Sequence, residues 1–273
     1  MLVNHGIPES LMKELVEGCQ QFFDLPEEAK KQYLGAAMKD VWAPIRCSSG
    51  VDSSLHKAVC WRDFLKAFVH PTFNFPTILP ALREVAREYN KRTRAIAAEL
   101  LKGISQHLGL EENYIQKSME FDSGFQVFAA NLYPPCPQPE QAMGIPAHTD
   151  HGLITLLIQN GVGGLQIKHD GEWFNVDPVP NSILVNTADH LEVLSNGKYK
   201  SIWHRAAVNS TTTRISIAVA HGPPIEKVVG PAPELVDGES RPPVFKPMLY
   251  KEYMELQQQG KHGLDATRLT QAA

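Results

Sequence analysis

The sequence contains no long hydrophobic run and no excess of positive charge. None of its apolar stretches approaches the roughly eighteen consecutive residues of a membrane-spanning helix, and its first residues lack the basic and then apolar pattern of a signal peptide. Lysine and arginine number 26 against 30 acidic residues, giving a formal net charge of −4. Because phosphate binding usually requires a basic face, we expect neither a membrane nor a nucleic acid as partner.

Cysteine is also scarce. The four cysteines, Cys19, Cys47, Cys60 and Cys136, are scattered along the chain and form no Cys-x-x-Cys pair. A structural zinc finger requires closer spacing of its cysteine and histidine ligands. We therefore expect free thiols, a reducing compartment and a cytoplasmic location.

The first half of the chain is predicted to contain most of the helices. One helix is expected from Ser10 to about Phe23, and the clearest one runs from Pro80 to Leu108, where Gly109 is placed to end it. The long helix carries an apolar stripe that we expect to face the core. The residues of that stripe are Leu82, Val85, Tyr89, Ile96, Leu100, Ile104 and Leu108.

Beyond residue 121 the pattern changes to short apolar runs separated by Gly, Asn and Pro turns. These runs are predicted to be strands, and they cover residues 126–133, 153–158, 164–168, 172–176, 182–186, 206–209 and 214–220. Many short strands at such spacing are typical of a sandwich or barrel. A last helix is expected over residues 251–259.

Three residues in the strand-rich part could bind a metal ion. On a strand, positions i and i+2 point to the same face, so His148 and Asp150 should point together, and His204 could join them from another strand. Two imidazoles and one carboxylate form the facial triad that leaves positions open on iron(II). Taken alone, a His-x-Asp triplet is a weak signal, because such triplets are common on surface turns.

A second i, i+2 pair follows ten residues after His204. Arg214 and Ser216 should share one strand face, and a guanidinium beside a hydroxyl suits a carboxylate. The alternative is a buried arginine paired with a structural acid, which would be a costly arrangement inside a barrel.

Together with their neighbours, these residues resemble the plant-type iron(II)/2-oxoglutarate-dependent dioxygenases, in a specialised-metabolism branch. The resemblance extends over almost the whole chain, and its motifs occur in the order and at the spacing of that family. The matching segments are Asn131-Leu132-Tyr133-Pro134-Pro135-Cys136-Pro137-Gln138-Pro139, His148-Thr149-Asp150, Gly163-Gly164-Leu165-Gln166, Leu194 to Ser201, His204-Arg205 and Arg214-Ile215-Ser216.

The resemblance implies a mainly β protein with flanking helices, whose double-stranded β-helix (jelly-roll) core is braced by the long helix. We expect a mixed helical support region over residues 1–122, the dioxygenase core over 123–225, and a C-terminal extension with a helix over 226–273. Family members carry a further segment before the turn at 3–8, so this chain is expected to be a short isoform, a truncated gene model or a fragment.

The family's chemistry implies roles for individual residues. His148, Asp150 and His204 are expected to bind Fe(II), with no catalytic residue beyond these ligands. The 2-oxoglutarate C5 carboxylate should meet Arg214 and Ser216, while the Tyr133 hydroxyl contributes and Asn131 lies near the same cosubstrate. With O2, and with ascorbate as a candidate reductant, such an enzyme hydroxylates, demethylates or desaturates a small apolar metabolite, hormone or xenobiotic and releases succinate and CO2.

One substrate-facing position departs from the family pattern. Many relatives have a phenylalanine six residues after the arginine, and here that residue is Ala220. Either the cavity is wider, or Phe125 or Phe128 fills the space, so we expect Phe125, Phe128 and Ala220 to line the substrate pocket.

Other functions remain open from sequence alone. An oxidase of the same fold could use ascorbate in place of 2-oxoglutarate, and a truncated isoform could bind ligand or metal without turnover. A zinc hydrolase is a weaker alternative, because no general base is evident beside the candidate ligands. In each case we expect a monomer that acts on a small molecule.

Overall fold

Two antiparallel sheets face each other and form the centre of the fold. The computed structural model describes residues 1–34, 40, 42–48, 51–52, 59–259 and 261–269. The helices of this described part are α1 (Glu9–Asp24), α2 (Glu27–Lys30), α3 (Pro80–His107), α4 (Tyr114–Ser118), α5 (Asp189–Leu194), α6 (Tyr250–Gln258) and α7 (Gly263–Thr267).

The strands are short and mostly follow residue 125, as the alternation of apolar runs and turns predicts. In chain order they are β1 (Ile45–Ser48), β2 (Val51–Asp52), β3 (Val59–Trp61), β4 (Asp63–His70), β5 (Gln126–Tyr133), β6 (Ala142–Met143), β7 (Ile145–His148), β8 (Ile154–Gln159), β9 (Leu165–His169), β10 (Glu172–Asn175), β11 (Leu184–Thr187), β12 (His204–Ala206), β13 (Arg214–His221), β14 (Val228–Val229) and β15 (Met248–Leu249).

The larger sheet has the order β1-β4-β5-β13-β8-β11, and the smaller one has the order β10-β9-β12-β7. Neighbours in these two sheets are not consecutive in the chain, because the strands alternate between the sheets as they do in a double-stranded β-helix. This is the predicted jelly-roll core. The inner faces of the two sheets enclose the candidate site, while the outer face of the larger sheet packs against helices.

The outer face of the larger sheet is apolar. On β13 the odd-numbered residues Ile215, Ile217 and Val219 join one hydrophobic cluster with residues of α1 and α3. The even-numbered residues from Arg214 to Ala220 therefore point into the space between the sheets, since successive strand residues alternate in direction. Burial of the outer residues thus sets the direction of the functional ones.

The long helix is present as predicted, but its buried face is rotated relative to the predicted stripe. Val85, Ile96, Leu100 and Ile104 are only partly buried. The face against the sheet is rich in small and polar residues, which allow helix and sheet to approach closely. Its buried residues are Leu82, Ala86, Tyr89, Asn90, Thr93, Ala97, Leu101 and Ser105.

Two polar residues in that face, Asn90 and Thr93, accept hydrogen bonds from a buried glutamine. Gln126, at the start of β5, donates its amide to the backbone oxygen of Asn90 at 2.9 Å and to the Thr93 hydroxyl at 3.2 Å. Such pairing removes most of the cost of burying an amide. An apolar stripe could not reveal this contact, because it depends on a residue 36 positions away.

One predicted strand was wrong in position. Residues 206–209 were expected to form it, whereas β12 spans His204–Ala206. The reason is tertiary pairing: His204 lies between His148 of β7 and Ile167 of β9, and both neighbours extend the strand toward the histidine.

The division at residues 122 and 225 stays a prediction, and the sheet crosses the first boundary, because β4 pairs with β5 over most of its length. The C-terminal extension packs beside the site through Tyr250 and Tyr253, whose rings contact the imidazole of His190. In the described part of the chain, no helix is both long and apolar enough to cross a membrane.

The rotated helix face can be tested with two neighbouring leucines. Leu101 is fully buried, so Leu101→Ala should lower the free energy of unfolding by about 2–5 kcal/mol. Leu100→Ala, at a partly buried position of the predicted stripe, should cost less than half as much. Urea unfolding followed by circular dichroism measures both, and equal losses would contradict the observed helix orientation.

Candidate metal centre and cosubstrate site

Two strands of the smaller sheet bring the three predicted ligands together. His148 ends β7, His204 begins β12, and the two residues are direct partners in the antiparallel ladder. Asp150 follows β7 by two residues and points the same way as His148. One ligand atom from each residue lies within 4.8 Å of the others, and this is the one such cluster among the described residues.

Both imidazoles are oriented by backbone carbonyls. The Nδ1 of His148 lies 2.9 Å from the carbonyl oxygen of Pro146, and the Nδ1 of His204 lies 3.0 Å from that of Ile202. A carbonyl only accepts, so each Nδ1 carries the proton and each Nε2 keeps its lone pair. These Nε2 atoms lie 3.8 Å and 3.5 Å from Asp150 Oδ1.

The electrostatics of the cluster favour the metal-binding protonation states. Burial and the neighbouring His204 lower the pKa of His148 to about 3, so its imidazole is neutral near pH 7. Burial alone would raise the pKa of Asp150, but the neighbouring His204 and His148 outweigh burial and lower it. Neutral imidazoles beside an ionised carboxylate are the forms that a divalent cation binds.

The loop that carries Asp150 is held by the first turn of α5. The backbone N–H of Asp189 donates to the Asp150 carbonyl at 2.9 Å, and that of His190 donates to the Gly152 carbonyl at 2.8 Å. Thr149, which points away from the ligands, donates its hydroxyl to the Asp189 carboxylate at 3.0 Å. Asp189 and His190 therefore act as structural residues that position the Asp150 loop.

Arg214 lies on the inner face of the larger sheet, and its guanidinium is buried although two of its nitrogen atoms have no hydrogen-bond partner. Its side chain is 2% exposed. One Nη2–H donates to Gln159 Oε1 at 2.9 Å, while Nε and Nη1 have no hydrogen-bond partner. No described acid forms an ion pair with it, so the alternative of a structural acid partner is not observed. A buried guanidinium with two open donor atoms suits a ligand carboxylate.

The remaining predicted cosubstrate residues lie on the same face. Arg214 pairs with Tyr133 and Ser216 pairs with Asn131 across the β13–β5 ladder. The Arg214 guanidinium lies 4.9 Å from the centre of the Tyr133 ring. Asn131 Oδ1 accepts a hydrogen bond of 2.8 Å from Arg62. The register thus places all four predicted side chains in one group.

Sequence reasoning missed the residues that shape this group. Gly144 lies against Tyr133, since a Cβ there would come within 2.5 Å of the ring. Gly164 has a φ of +138°, and a Cβ there would lie 3.1 Å from Arg214 Cδ. Gly163-Gly164 carried part of the family resemblance, but its close approach to Arg214 has no signal in the sequence. The partners Gln159 and Arg62 are also contacts that only folding creates.

The three residues expected in the substrate pocket occupy different places. Ala220 shares the inner face of β13 with Arg214, and it pairs with Val127 and Thr155. Phe125 packs beside His151 and stacks on Tyr250 at 5.1 Å between ring centres.

Phe128 corrects the expectation. It pairs with Val219 on the outer face of the sheet, joins the hydrophobic core and packs edge-on against Phe75. Strand alternation therefore turns it away from the site.

Comparison with known proteins agrees with this geometry. The sequence model of the 2OG-Fe(II) oxygenase superfamily matches residues 124–223, and that of the non-haem dioxygenase N-terminal region, described for morphine synthesis, matches residues 1–86. The first match contains β7 and β12, which bring the metal cluster together, and β13, which carries Arg214.

Similar proteins of known class cover most of the chain. The 2-oxoglutarate-dependent dioxygenase 19 of Oryza sativa subsp. japonica is 44% identical over all of this chain and 81% of its own length. A flavonol synthase/flavanone 3-hydroxylase of Petunia hybrida is 38% identical over 93% of this chain and 74% of its own. The crystal structure of JOX2 in complex with 2OG, Fe and JA superposes with a TM-score of 0.90 at 30% identity, covering 98% of this chain and 81% of JOX2.

The fold, the His-Asp-His cluster and these similarities define a non-haem iron oxygenase. The chain belongs to the 2-oxoglutarate/Fe(II)-dependent oxygenase family. It is a 2-oxoglutarate-dependent dioxygenase whose cofactor is iron(II) and whose cosubstrates are 2-oxoglutarate and O2. The family assignment sets aside the zinc-hydrolase alternative.

A buried histidine outside the metal cluster should make the protein sensitive to acid. His221 ends β13, is fully buried, and has a pKa lowered from 6.5 to about 3 by burial and then by Arg94. The unfolded chain binds this proton more tightly than the folded protein. The contribution of His221 to stability is therefore fully present above pH 6.5 and is lost as the pH falls.

For metal-free protein, the difference in unfolding free energy between wild type and His221→Gln should fall by up to about 1.4 kcal/mol per pH unit between roughly pH 6 and 4. Denaturant titrations at several pH values measure it. His169→Gln, at a histidine with a 75% exposed side chain, should follow wild type. Parallel pH dependence of wild type and His221→Gln would contradict the prediction.

Proposed function

We propose that His148, Asp150 and His204 hold the iron and that Arg214, with Ser216 and Tyr133, binds the C5 carboxylate of 2-oxoglutarate. The observation that carries this assignment is the buried Arg214 guanidinium with two unpartnered donor atoms, which lies on the sheet facing the three-ligand cluster. An acid of two carboxylates could bind the metal at one end and the guanidinium at the other.

The three ligands fit iron(II). Two imidazoles and one carboxylate supply nitrogen and oxygen donors from one side, which leaves coordination positions for other molecules. The side chain of His148 is 36% exposed, so the cluster is open toward solvent or ligand. Bound iron, with 2-oxoglutarate and O2, supplies the oxidising chemistry that inserts oxygen into a substrate C–H bond and releases succinate and CO2.

The contributions of the chain are binding and orientation. Backbone carbonyls keep the protons of His148 and His204 on Nδ1, so Nε2 stays available. Gln159 holds one end of the Arg214 guanidinium, and the remaining donors point toward the cosubstrate. Arg62 orients the Asn131 amide beside the same group. These contacts preorganise the site, so little reorganisation is needed when ligands bind.

The proposed reaction is hydroxylation of a small, largely apolar molecule, with demethylation and desaturation as variants. Phe68 and Phe125 supply an aromatic wall, with their ring centres 6.4 Å apart. Ala220 leaves room on β13 of the same sheet, at a position where many relatives carry phenylalanine. The names of the relatives above refer to different molecules, a flavanone in one case and JA in another. The substrate of this chain must therefore be inferred from its own residues.

The working form that we propose is a cytoplasmic monomer, with ascorbate keeping the iron reduced. The buried thiols of Cys19, Cys47 and Cys136, none of which forms a disulfide in the described part of the chain, support a reducing compartment. The net charge of −4 supports a small-molecule substrate rather than a nucleic acid.

Removal of one iron ligand should abolish turnover. His204→Ala should lower iron-dependent release of succinate from 2-oxoglutarate by about a thousandfold or more, because a facial triad that loses one ligand binds the metal poorly. Metal binding measured by calorimetry should weaken in parallel. His169→Ala removes an exposed histidine of the same sheet and should keep both properties. A wild-type protein that binds metal but releases no succinate would favour the non-catalytic alternative.

The role of Arg214 predicts a selective effect on the cosubstrate. Arg214→Met should raise the KM for 2-oxoglutarate by about a hundredfold, since charge-assisted hydrogen bonds are lost in a buried site. Metal affinity without 2-oxoglutarate should change little, because Arg214 does not contact the metal cluster. Arg241→Met, at a half-exposed arginine, is the matched control. An unchanged KM would show that the C5 carboxylate binds elsewhere.

A further inference from the structure

Strands β1 and β4 present positive charge on the inner face of the larger sheet. Arg46 of β1 and Lys66 of β4 are direct cross-strand partners. Lys66 also pairs with Ala129, two residues from Asn131 on the inner face of β5. Because residues directly opposite each other share a face, both cations point toward the space in which the cosubstrate residues lie.

Like charges in direct opposition destabilise a sheet unless an anion offsets them. Among the described residues, no acid lies within ion-pair distance of Arg46 or Lys66, and neither side chain has a hydrogen bond. Asp40 acts on Arg46 only from a distance, where it raises the arginine pKa against the larger effect of burial. Arg62 adds a third cation nearby, and its partner is the neutral amide of Asn131.

The two cations lie close enough to the metal cluster to influence it. Burial and, to a smaller extent, Arg62 and Arg46 together lower the pKa of Lys66 to about 7, while Asp150 opposes them. Lys66 and Arg46 in turn help to lower the pKa of His151, next to the ligand Asp150. These mutual effects place the pair beside the centre rather than on the outer surface.

When iron(II) and 2-oxoglutarate are bound, the positive charges of Arg46 and Lys66 are not neutralised by the other charges of the site. In the proposed function, on which this inference rests, Asp150 and the two carboxylates of 2-oxoglutarate balance iron(II) and Arg214. Arg46 and Lys66 then have no counter-charge among the described residues. A further anion would remove the repulsion between them.

Aromatic rings flank the lysine along its own strand. Phe64, Lys66 and Phe68 alternate on β4 and therefore share the inner face. All three are partly exposed, and the Lys66 ammonium lies 5.6 Å from the centre of the Phe64 ring. Trp42 stacks on Phe68 from the side at 6.5 Å between ring centres. On this face a cation lies between two aromatic rings. An apolar molecule that carries one anionic group is complementary to such a surface.

We propose that Arg46 and Lys66 form an anion subsite beside the metal centre, and that the substrate is a small apolar carboxylic acid. Arg46 can bind a carboxylate with two parallel N–H donors, and Lys66 adds a point charge on the same side. Phe64 and Phe68 pack against the apolar body of the acid. The carboxylate thereby fixes which carbon of the substrate faces the iron.

Matched acids and amides test this subsite. The probes are 1-naphthylacetate against 1-naphthylacetamide, and cyclohexylacetate against cyclohexylacetamide, titrated by calorimetry into protein loaded with Mn(II) and 2-oxoglutarate. Wild type should bind at least one acid about tenfold or more tighter than its amide. Lys66→Met and Arg46→Gln should each weaken acid binding by roughly ten- to a hundredfold, and amide binding far less.

Lys168→Met is the control, because Lys168 is exposed on β9 of the other sheet, and it should keep the acid preference. Equal affinity of wild type for acid and amide, or binding of neither in both pairs, would overturn the proposal. Loss of 2-oxoglutarate affinity as large as the loss of acid affinity would also overturn it, by assigning the cations to the cosubstrate.

A measurement on wild type covers the case in which a variant does not fold. Acetylation by acetic anhydride, followed by mass spectrometry, should modify Lys66 more slowly with the bound acid than with the amide, whereas Lys168 should react equally in both. Equal rates at Lys66 would contradict the subsite. If the proposed function is wrong, the protein will release no succinate and will not bind 2-oxoglutarate. The affinities for acid and amide can still be compared in metal-free protein, so the two failures are distinguishable.

Discussion

The alternation of side chains along two facing sheets is the constraint on which the rest of this structure depends. On β13, burial of Ile215 and Ile217 against the helices forces Arg214 and Ser216 into the space between the sheets. The same rule places Asn131 and Tyr133 beside them through the ladder with β5. A slip of one residue in that ladder would exchange the core for the site. Hydrophobic burial, not any force within the site, therefore orients the functional residues.

The site itself is dominated by desolvated charge. Arg214 is nearly inaccessible and keeps two donor atoms without protein partners, which is costly unless a ligand completes them. The three-residue cluster on the opposite sheet shows the complementary arrangement, because burial lowers the pKa of His148 and the two histidines lower the pKa of the Asp150 carboxyl. In the proposed function, a dianionic cosubstrate satisfies both ends. The stability of the protein and the affinity for this ligand are therefore linked.

The support around the site comes from parts of the chain that carry no chemistry of their own. Gly144 and Gly164 allow Tyr133 and Arg214 to lie where bulkier neighbours would collide with them. The first turn of α5 holds the loop of Asp150 through backbone hydrogen bonds. Strands β1 and β4, which precede the dioxygenase core, complete the large sheet and bring Arg46 and Lys66 to its inner face. The proposed anion subsite thus comes from strands that precede residue 124, whereas the candidate ligands for iron and 2-oxoglutarate come from the strands that follow it.

The sequence alone indicated the class of fold and the family through its resemblance to known dioxygenases. It also supplied the candidate residues for iron and cosubstrate, because His148 and Asp150, or Arg214 and Ser216, share a face by strand periodicity. It also located the long helix. Only the tertiary structure decided which face of that helix is buried, that Phe128 points into the core, and that β12 begins at His204. It also showed that Arg46 and Lys66 have no ion-pair partner within the described part of the chain. Those properties arise from contacts between residues far apart in the chain, which no local pattern encodes.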